Sequence, residues 1–130
     1  FGHDPSAGTG PGEFKLPHGI TVDSNDRVYV MDRENDRIQL FDENGKYEDE
    51  WEIISPNQAV IDENDVMHSA SGGQVWLTTL NGKHMGSWGQ RGGESWQFTG
   101  GPHGLSMDSH SDVYVGQVGA ENGLNKYARS

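Results

Sequence analysis

The sequence repeats itself about every forty residues, and this period constrains the fold more than any other feature. Three stretches align with one another: LPHGITVDSNDRVYV, SPNQAVIDENDVMHS and GPHGLSMDSHSDVYV. They share a proline, a polar residue, an alternating apolar run, an aspartate and a polar turn before a second run. The aligned residues His18, Asn57 and His103 lie 39 and 46 residues apart. A unit of about forty residues is the length of a four-stranded β-propeller blade.

Alternating apolar runs within each unit predict antiparallel strands. The first unit contains GITVD, RVYVMD, RIQLFD and YEDEWE, with the hairpin turn ENGK before the last strand. The second repeats this order with AVID, VMHSA, QVWLTT and HMGSWG, and the third has GLSMD, DVYVGQV and LNKYARS. We therefore predict an all-β chain whose 130 residues form a partial propeller of about three blades. The predicted segments are an outer-strand remnant and loop at 1–14, blades at 15–54 and 55–98, and an incomplete blade at 99–130.

Most of the conspicuous residues are explained by packing and turns. Aliphatic side chains at alternating positions of the strands are expected to fill the space between blades. These are Val28, Val30, Ile38, Leu40, Val60, Val75, Leu77, Val113 and Val115. Trp51 and Trp88 end outer strands and are expected to pack between blades. Asp23, Asp62 and Asp108 precede the same turn in each unit, where a carboxylate accepts backbone N–H groups.

Composition excludes several classes of partner. The 20 acidic and 9 basic residues give a formal net charge of −11, which repels phosphate backbones and anionic membrane surfaces. We expect no nucleic-acid partner. There is no cysteine, so any metal must bind nitrogen and oxygen ligands. The sequence has no stretch approaching the roughly 20 apolar residues of a membrane span, and its first ten residues do not resemble a signal peptide.

The segment PGEFKLPHGITVD, followed by VYVMDRENDRIQLFDENGK, resembles the NHL repeat, a blade type of β-propellers. The pairing of PHGI with MDRENDRIQLF, and later of PHGLSMD with VYVGQV, is similar to the C-terminal half of the peptidyl-α-hydroxyglycine α-amidating lyase propeller. The resemblance covers nearly all of this chain and about half of such a six-bladed domain. It implies an NHL-type propeller with zinc in its central channel, held by three histidines that open inner strands of three blades.

Two of those histidines match His18 and His103, and an arginine of the family's active site matches Arg33. The first residues of a propeller's inner strands point toward its axis, so we expect both imidazoles to face one channel. The resemblance implies that they bind zinc and that Arg33 holds the substrate's carboxylate or hydroxyl. The third histidine and the proposed tyrosine base belong to blades that have no counterpart here. A family aspartate used for calcium is Gly104, which argues against a calcium site.

The residues themselves leave alternatives open. A His-Gly pair at the start of an inner strand also serves turn geometry or hydrogen bonding without any metal. Arg33 is also explained by a surface ion pair with Glu34 or Asp36, which contributes little energy. The chain is thus either a lyase-like zinc propeller with weak or no activity by itself, or a non-catalytic scaffold that binds a protein, a peptide or a glycan.

Three blades cannot close a ring, because a bare blade face would remain at each end. We expect either a homodimer of six blades or an N-terminal half supplied by a longer protein. In the dimer, the strand around Phe1 would complete the last blade of the partner. Two copies of His18 and His103 would then surround one channel. Similarity to secreted and periplasmic relatives favours an extracytoplasmic location.

Overall fold

The computed structural model describes residues 7–92, 94, 97–120 and 123–128. The strands of the first sheet are β1 (Pro17–Val22), β2 (Val28–Asp32), β3 (Arg37–Phe41) and β4 (Tyr47–Glu52). The second sheet contains β5 (Pro56–Ile61), β6 (Val66–Ser71), β7 (Gln74–Thr79) and β8 (His84–Trp88). The third contains β9 (Gly101–Met107), β10 (Val113–Val118) and β11 (Leu124–Tyr127). A single 3₁₀ turn, Arg33–Asn35, separates β2 from β3.

Each sheet is an antiparallel meander in chain order, as expected for a propeller blade. The inner strands β1, β5 and β9 contact one another in succession, so the three blades, called blades 1, 2 and 3, stand side by side around their inner edges. The prediction of an all-β propeller fold is confirmed. The predicted strand around Phe1 lies outside the described residues. Within those residues, no helix is long and apolar enough to cross a membrane.

The turn between the first two strands is built in the same way in every blade. Asp23 accepts backbone N–H bonds from Asn25 at 2.8 Å and Arg27 at 3.1 Å. Asp62 and Asp108 make the matching pairs of bonds in their own turns. The structural role predicted for these aspartates is therefore confirmed, and it fixes where each inner strand ends.

The spaces between blades hold the apolar core. Between blades 1 and 2 the buried residues are Tyr29, Met31, Ile38, Leu40, Ala59 and Met67, with Trp51 and Trp76 against them. Between blades 2 and 3 they are Ala70, Val75, Phe98, Leu105, Val113 and Val115, with Trp88 and Tyr127 against them. The predicted packing between blades is confirmed for both outer-strand tryptophans and for the aliphatic side chains Ile38, Leu40, Val60, Val75, Val113 and Val115. Val28 and Val30 instead pack with Phe41 and Phe14 in a separate cluster of blade 1. Burial of the side chains between blades is the main force that holds neighbouring blades together.

Candidate functional site

His18 and His103 lie side by side where β1 and β9 begin. Their ring centroids are 4.3 Å apart, and the rings meet edge to face at 84°. His18 Nδ1 lies 3.0 Å from the backbone oxygen of Asn57, the residue at the matching position of β5. The side chain of Asn57 donates in turn to the backbone oxygen of Pro102 at 3.3 Å. The starts of all three inner strands are thus linked around one point.

A β-bulge places each of these three side chains. The pairing of β1 with β2 skips His18, that of β5 with β6 skips Asn57, and that of β9 with β10 skips His103. A bulge residue has no partner in the register, and its side chain is directed away from the regular alternation. Gly19 is required beside the first bulge, because a Cβ there would lie 2.5 Å from the backbone oxygen of Asn57.

The hydrogen bonding of His18 suits a metal ligand. A carbonyl oxygen only accepts, so Nδ1 of His18 carries the hydrogen in the bond to Asn57. The lone pair of a neutral imidazole then lies on Nε2, and a second partner on Nδ1 is the usual arrangement for a metal-binding histidine. Burial, followed by the positive charges of His18 and Arg33, lowers the pKa of His103. Both effects favour the neutral form of the His103 imidazole, which is the form that metals bind.

Arg33 stands in the 3₁₀ turn after β2, close enough to His103 to lower its pKa. Its Nε is 3.6 Å from a carboxylate oxygen of Glu34 and is buried without a hydrogen-bond partner among the described residues. The carboxylate of Asp36 instead accepts the backbone N–H of Ser55 at 2.7 Å. The alternative ion pair therefore exists only with Glu34, and it is long. A guanidinium with a free N–H donor can bind an anionic group of a ligand.

Asp32 and Arg37 support this site, and the sequence analysis did not identify them. The fully buried carboxylate of Asp32 accepts the backbone N–H of Lys15 at 2.7 Å and Nε of Arg37 at 2.7 Å. Asp32 thereby ties the segment before His18 to the strand that ends before Arg33. The signal was the run DRENDR, in which two arginines flank a short turn.

The described residues do not contain a complete set of metal ligands. They contain no group of three or more His, Cys, Asp or Glu side chains that would hold a metal ion. Two imidazoles suit zinc, whereas a catalytic zinc site has three protein ligands and an open position. The side-chain oxygen of Asn57 is buried without a hydrogen-bond partner within the described ranges. Whether His18 and His103 bind metal, and whether Arg33 binds substrate, stay predictions.

Comparison with known proteins agrees with the fold. Two solved structures are similar over 87% of this chain: a streptogramin B lyase with a TM-score of 0.63 at 15% identity, and virginiamycin B lyase from Staphylococcus aureus with a TM-score of 0.59 at 16% identity. The alignments cover 40% and 41% of those chains. At such identities the likeness extends to the fold alone. Fold and comparison together define this chain as a set of β-propeller blades.

Sequence comparison identifies the blade type. Residues 14–41 match the NHL repeat. The human NHL repeat-containing protein 3 is 51% identical over 45 residues, which are 34% of this chain and 13% of that protein. Protein lin-41 of Caenorhabditis elegans is 50% identical over 40 residues, 31% of this chain and 4% of that protein. The chain forms propeller blades, the first of which is similar to the NHL repeat over residues 14–41, and it matches only a small share of the length of these relatives.

Proposed function

We propose that this NHL-repeat module forms part of a propeller whose channel holds a zinc ion at His18 and His103, as in the amidating lyases that it resembles. The observation that carries the proposal is the edge-to-face contact of the two imidazoles at the starts of non-neighbouring inner strands. The bond from His18 to Asn57 supports it, because it leaves Nε2 as the ligand atom.

The ligands that complete this site would come from further blades. Ile20 and Val22 are 58% and 52% exposed on β1, and Leu124 is 70% exposed on β11. Exposed apolar side chains on the two end blades favour burial against additional blades. We propose a homodimer of six blades or, alternatively, an N-terminal half supplied by a longer protein. In either assembly the channel would surround His18 and His103.

The chemistry proposed for this channel is cleavage of peptidyl-α-hydroxyglycine to an amidated peptide and glyoxylate. Zinc, when bound, would supply Lewis acidity and activate a bound oxygen atom. Arg33 would hold the substrate's carboxylate, because its planar fork of donors matches two carboxylate oxygens. Gly104 offers no side-chain oxygen for calcium, so calcium is not part of the proposal. A missing ligand or base removes most of the rate, since such groups act as a unit, and we expect this chain to be a weak catalyst by itself.

A non-catalytic scaffold is the second candidate, with loops that bind a protein, a peptide or a glycan. It is favoured by the lack of a third metal-binding side chain within the described ranges. The names of the sequence relatives also mention no reaction.

An activity assay separates the two candidates. The purified chain, loaded with zinc, is incubated with a peptide that ends in α-hydroxyglycine, and glyoxylate is measured. The lyase proposal predicts slow, zinc-dependent release above the spontaneous rate, lost on chelation and in Arg33→Ala. Lys46→Ala serves as the control, because Lys46 lies in the β3–β4 hairpin on the blade's edge. Release at the spontaneous rate, with and without zinc, would favour the scaffold.

A further inference from the structure

Blade 2 departs from its neighbours at one position of its second strand. Tyr29 in β2 and Tyr114 in β10 each donate their hydroxyl to the turn aspartate of their own blade, at 2.8 and 3.2 Å. The matching residue of β6 is His68, whose Nε2 lies 2.9 Å from the carboxylate of Asp62. The bond to the aspartate is kept in all three blades. Imidazole is smaller than phenol, however, so the exchange fills less of the space between blades.

A cavity of about 420 Å³ lies beside His68, between blades 2 and 3. Its apolar wall includes Leu77, Trp88 and Val113. Tyr127 of β11 also lines the cavity, with its ring centroid 4.8 Å from that of Trp88. At the corresponding place between blades 1 and 2, Tyr29 is fully buried. The cavity therefore coincides with the one blade in which the tyrosine is replaced.

Two polar atoms in this cavity wall lack partners. Nδ1 of His68 and the hydroxyl of Tyr127 are buried and make no hydrogen bond within the described part of the chain. Nε2 of His68 faces the Asp62 carboxylate and therefore carries a hydrogen, so Nδ1 is an acceptor when the ring is neutral. Buried polar groups in native proteins are nearly always satisfied, by protein, ordered water or a ligand. The cavity thus offers an acceptor and a hydroxyl within a largely apolar wall.

We propose that this cavity is a binding site for a small neutral aromatic molecule that carries a hydroxyl or N–H donor, of which phenol is the simplest. The donor binds Nδ1 of His68, and the ring packs against Trp88 and Leu77. In a ligand with a hydroxyl, such as phenol, the oxygen also accepts from the Tyr127 hydroxyl. The carboxylate of Asp62 disfavours an anionic ligand. The site uses none of His18, His103 and Arg33, and it is independent of the channel proposal.

Phenol titration tests the site, with calorimetry of the purified chain as the readout. We expect saturable binding to the wild-type chain and none to His68→Tyr, in which the larger ring occupies the cavity as Tyr29 does between blades 1 and 2. His68→Tyr is also expected to raise the Tm, because it fills a cavity. Tyr127→Phe keeps the ring and is expected to weaken phenol binding about five- to tenfold, the effect of one hydrogen bond.

Two controls define the outcome. Toluene has the shape of phenol without its donor, and it is expected to bind at least about fivefold more weakly. Tyr114→His makes the same exchange in blade 3, away from the cavity, and is expected to leave phenol binding unchanged. Absence of saturable binding to the wild-type chain would overturn the proposal, as expected if water alone fills the cavity. Equal binding by wild type and His68→Tyr would also overturn it.

Discussion

Nε of Arg37 donates to the fully buried carboxylate of Asp32 at 2.7 Å. The guanidinium also donates to the carboxylate of Glu50 and to the backbone oxygens of Thr9, Gly10 and Glu13. One buried cation therefore fixes both the loop before β1 and the end of β2. His18 follows the first of these segments and Arg33 follows the second, so the ion pair positions the candidate channel site without touching it.

Arg37→Ala is expected to lower the free energy of unfolding by about 3–5 kcal/mol, because it removes a buried cation together with its bonds to Asp32, Glu50 and three backbone oxygens. Urea denaturation measures this loss. The matched control is Arg27→Ala, which removes an ion pair with Asp23 whose arginine side chain is 37% exposed. The free energy of unfolding is expected to decrease by about 1 kcal/mol or less in Arg27→Ala, because the arginine of this pair is partly exposed. Equal losses in the two variants would contradict the role assigned to Arg37.

Tyr29→Phe tests the bond between the second strand and the turn aspartate. The buried carboxylate of Asp23 accepts the Tyr29 hydroxyl at 2.8 Å and loses one partner in this variant. Since a hydrogen bond to a charged group contributes about 1.5–3 kcal/mol, thermal or urea unfolding is expected to show a loss in that range. Tyr114→Phe removes the longer bond of 3.2 Å at a half-buried site, and its effect is expected to be smaller. A larger effect of Tyr114→Phe would contradict this account.

Gly82 in the β7–β8 hairpin allows blade 2 to approach Trp51 of blade 1. Its φ is +89°, and a Cβ would collide with the indole of Trp51. Gly73 has a similar φ of +81° but open space around it, so Gly73→Ala isolates the backbone strain. Alanine in this left-handed backbone conformation is expected to lower the free energy of unfolding by about 1–2 kcal/mol in both variants. In Gly82→Ala, overpacking against Trp51 is expected to lower it by about 1–3 kcal/mol more. Equal unfolding midpoints for the two variants would show that the contact with Trp51 does not constrain the hairpin.

The lowered pKa of His103 is expected to make the free energy of unfolding depend on pH. Burial, followed by the charges of His18 and Arg33, lowers its pKa in the folded chain. The unfolded chain titrates at about 6.5, so between that value and the lower folded pKa the unfolded state binds more protons. The free energy of unfolding therefore falls as the pH decreases through this window, and the loss is complete below the folded pKa.

His103→Asn is expected to remove this component from urea unfolding measured between about pH 7.5 and 5, relative to the wild-type chain. NMR titration of the imidazole provides a direct readout, and Arg33→Ala is expected to raise the His103 pKa. A folded pKa at or above that of a free imidazole would contradict the described site.

The sequence alone predicted the blades, because alternation and turn chemistry are local. Asp23, Asp62 and Asp108 fix the same turn from within a few residues. The convergence of His18 and His103 was also expected, from their shared position in the repeat. The bulges that expose these side chains could not be predicted, since they depend on pairing between neighbouring strands.

Long-range polar contacts were likewise not predictable. Arg37 binds carbonyls 24 to 28 residues away, and a short motif gives no sign of such partners. His68 is half-buried in β6. The cavity beside it depends on side chains from blade 3, such as Val113 and Tyr127, so the sequence of blade 2 alone did not reveal it.

We propose that His18 and His103 share one zinc ion, and equilibrium dialysis of the purified chain against zinc, followed by metal analysis, tests this shared site. The account predicts specific binding that falls by at least about tenfold in His18→Ala and in His103→Ala. His110→Ala, at an exposed turn, is expected to bind zinc as the wild type does. Circular dichroism checks that each variant is folded. No specific zinc binding by the wild-type chain, or binding that survives both substitutions in folded protein, would contradict the claim.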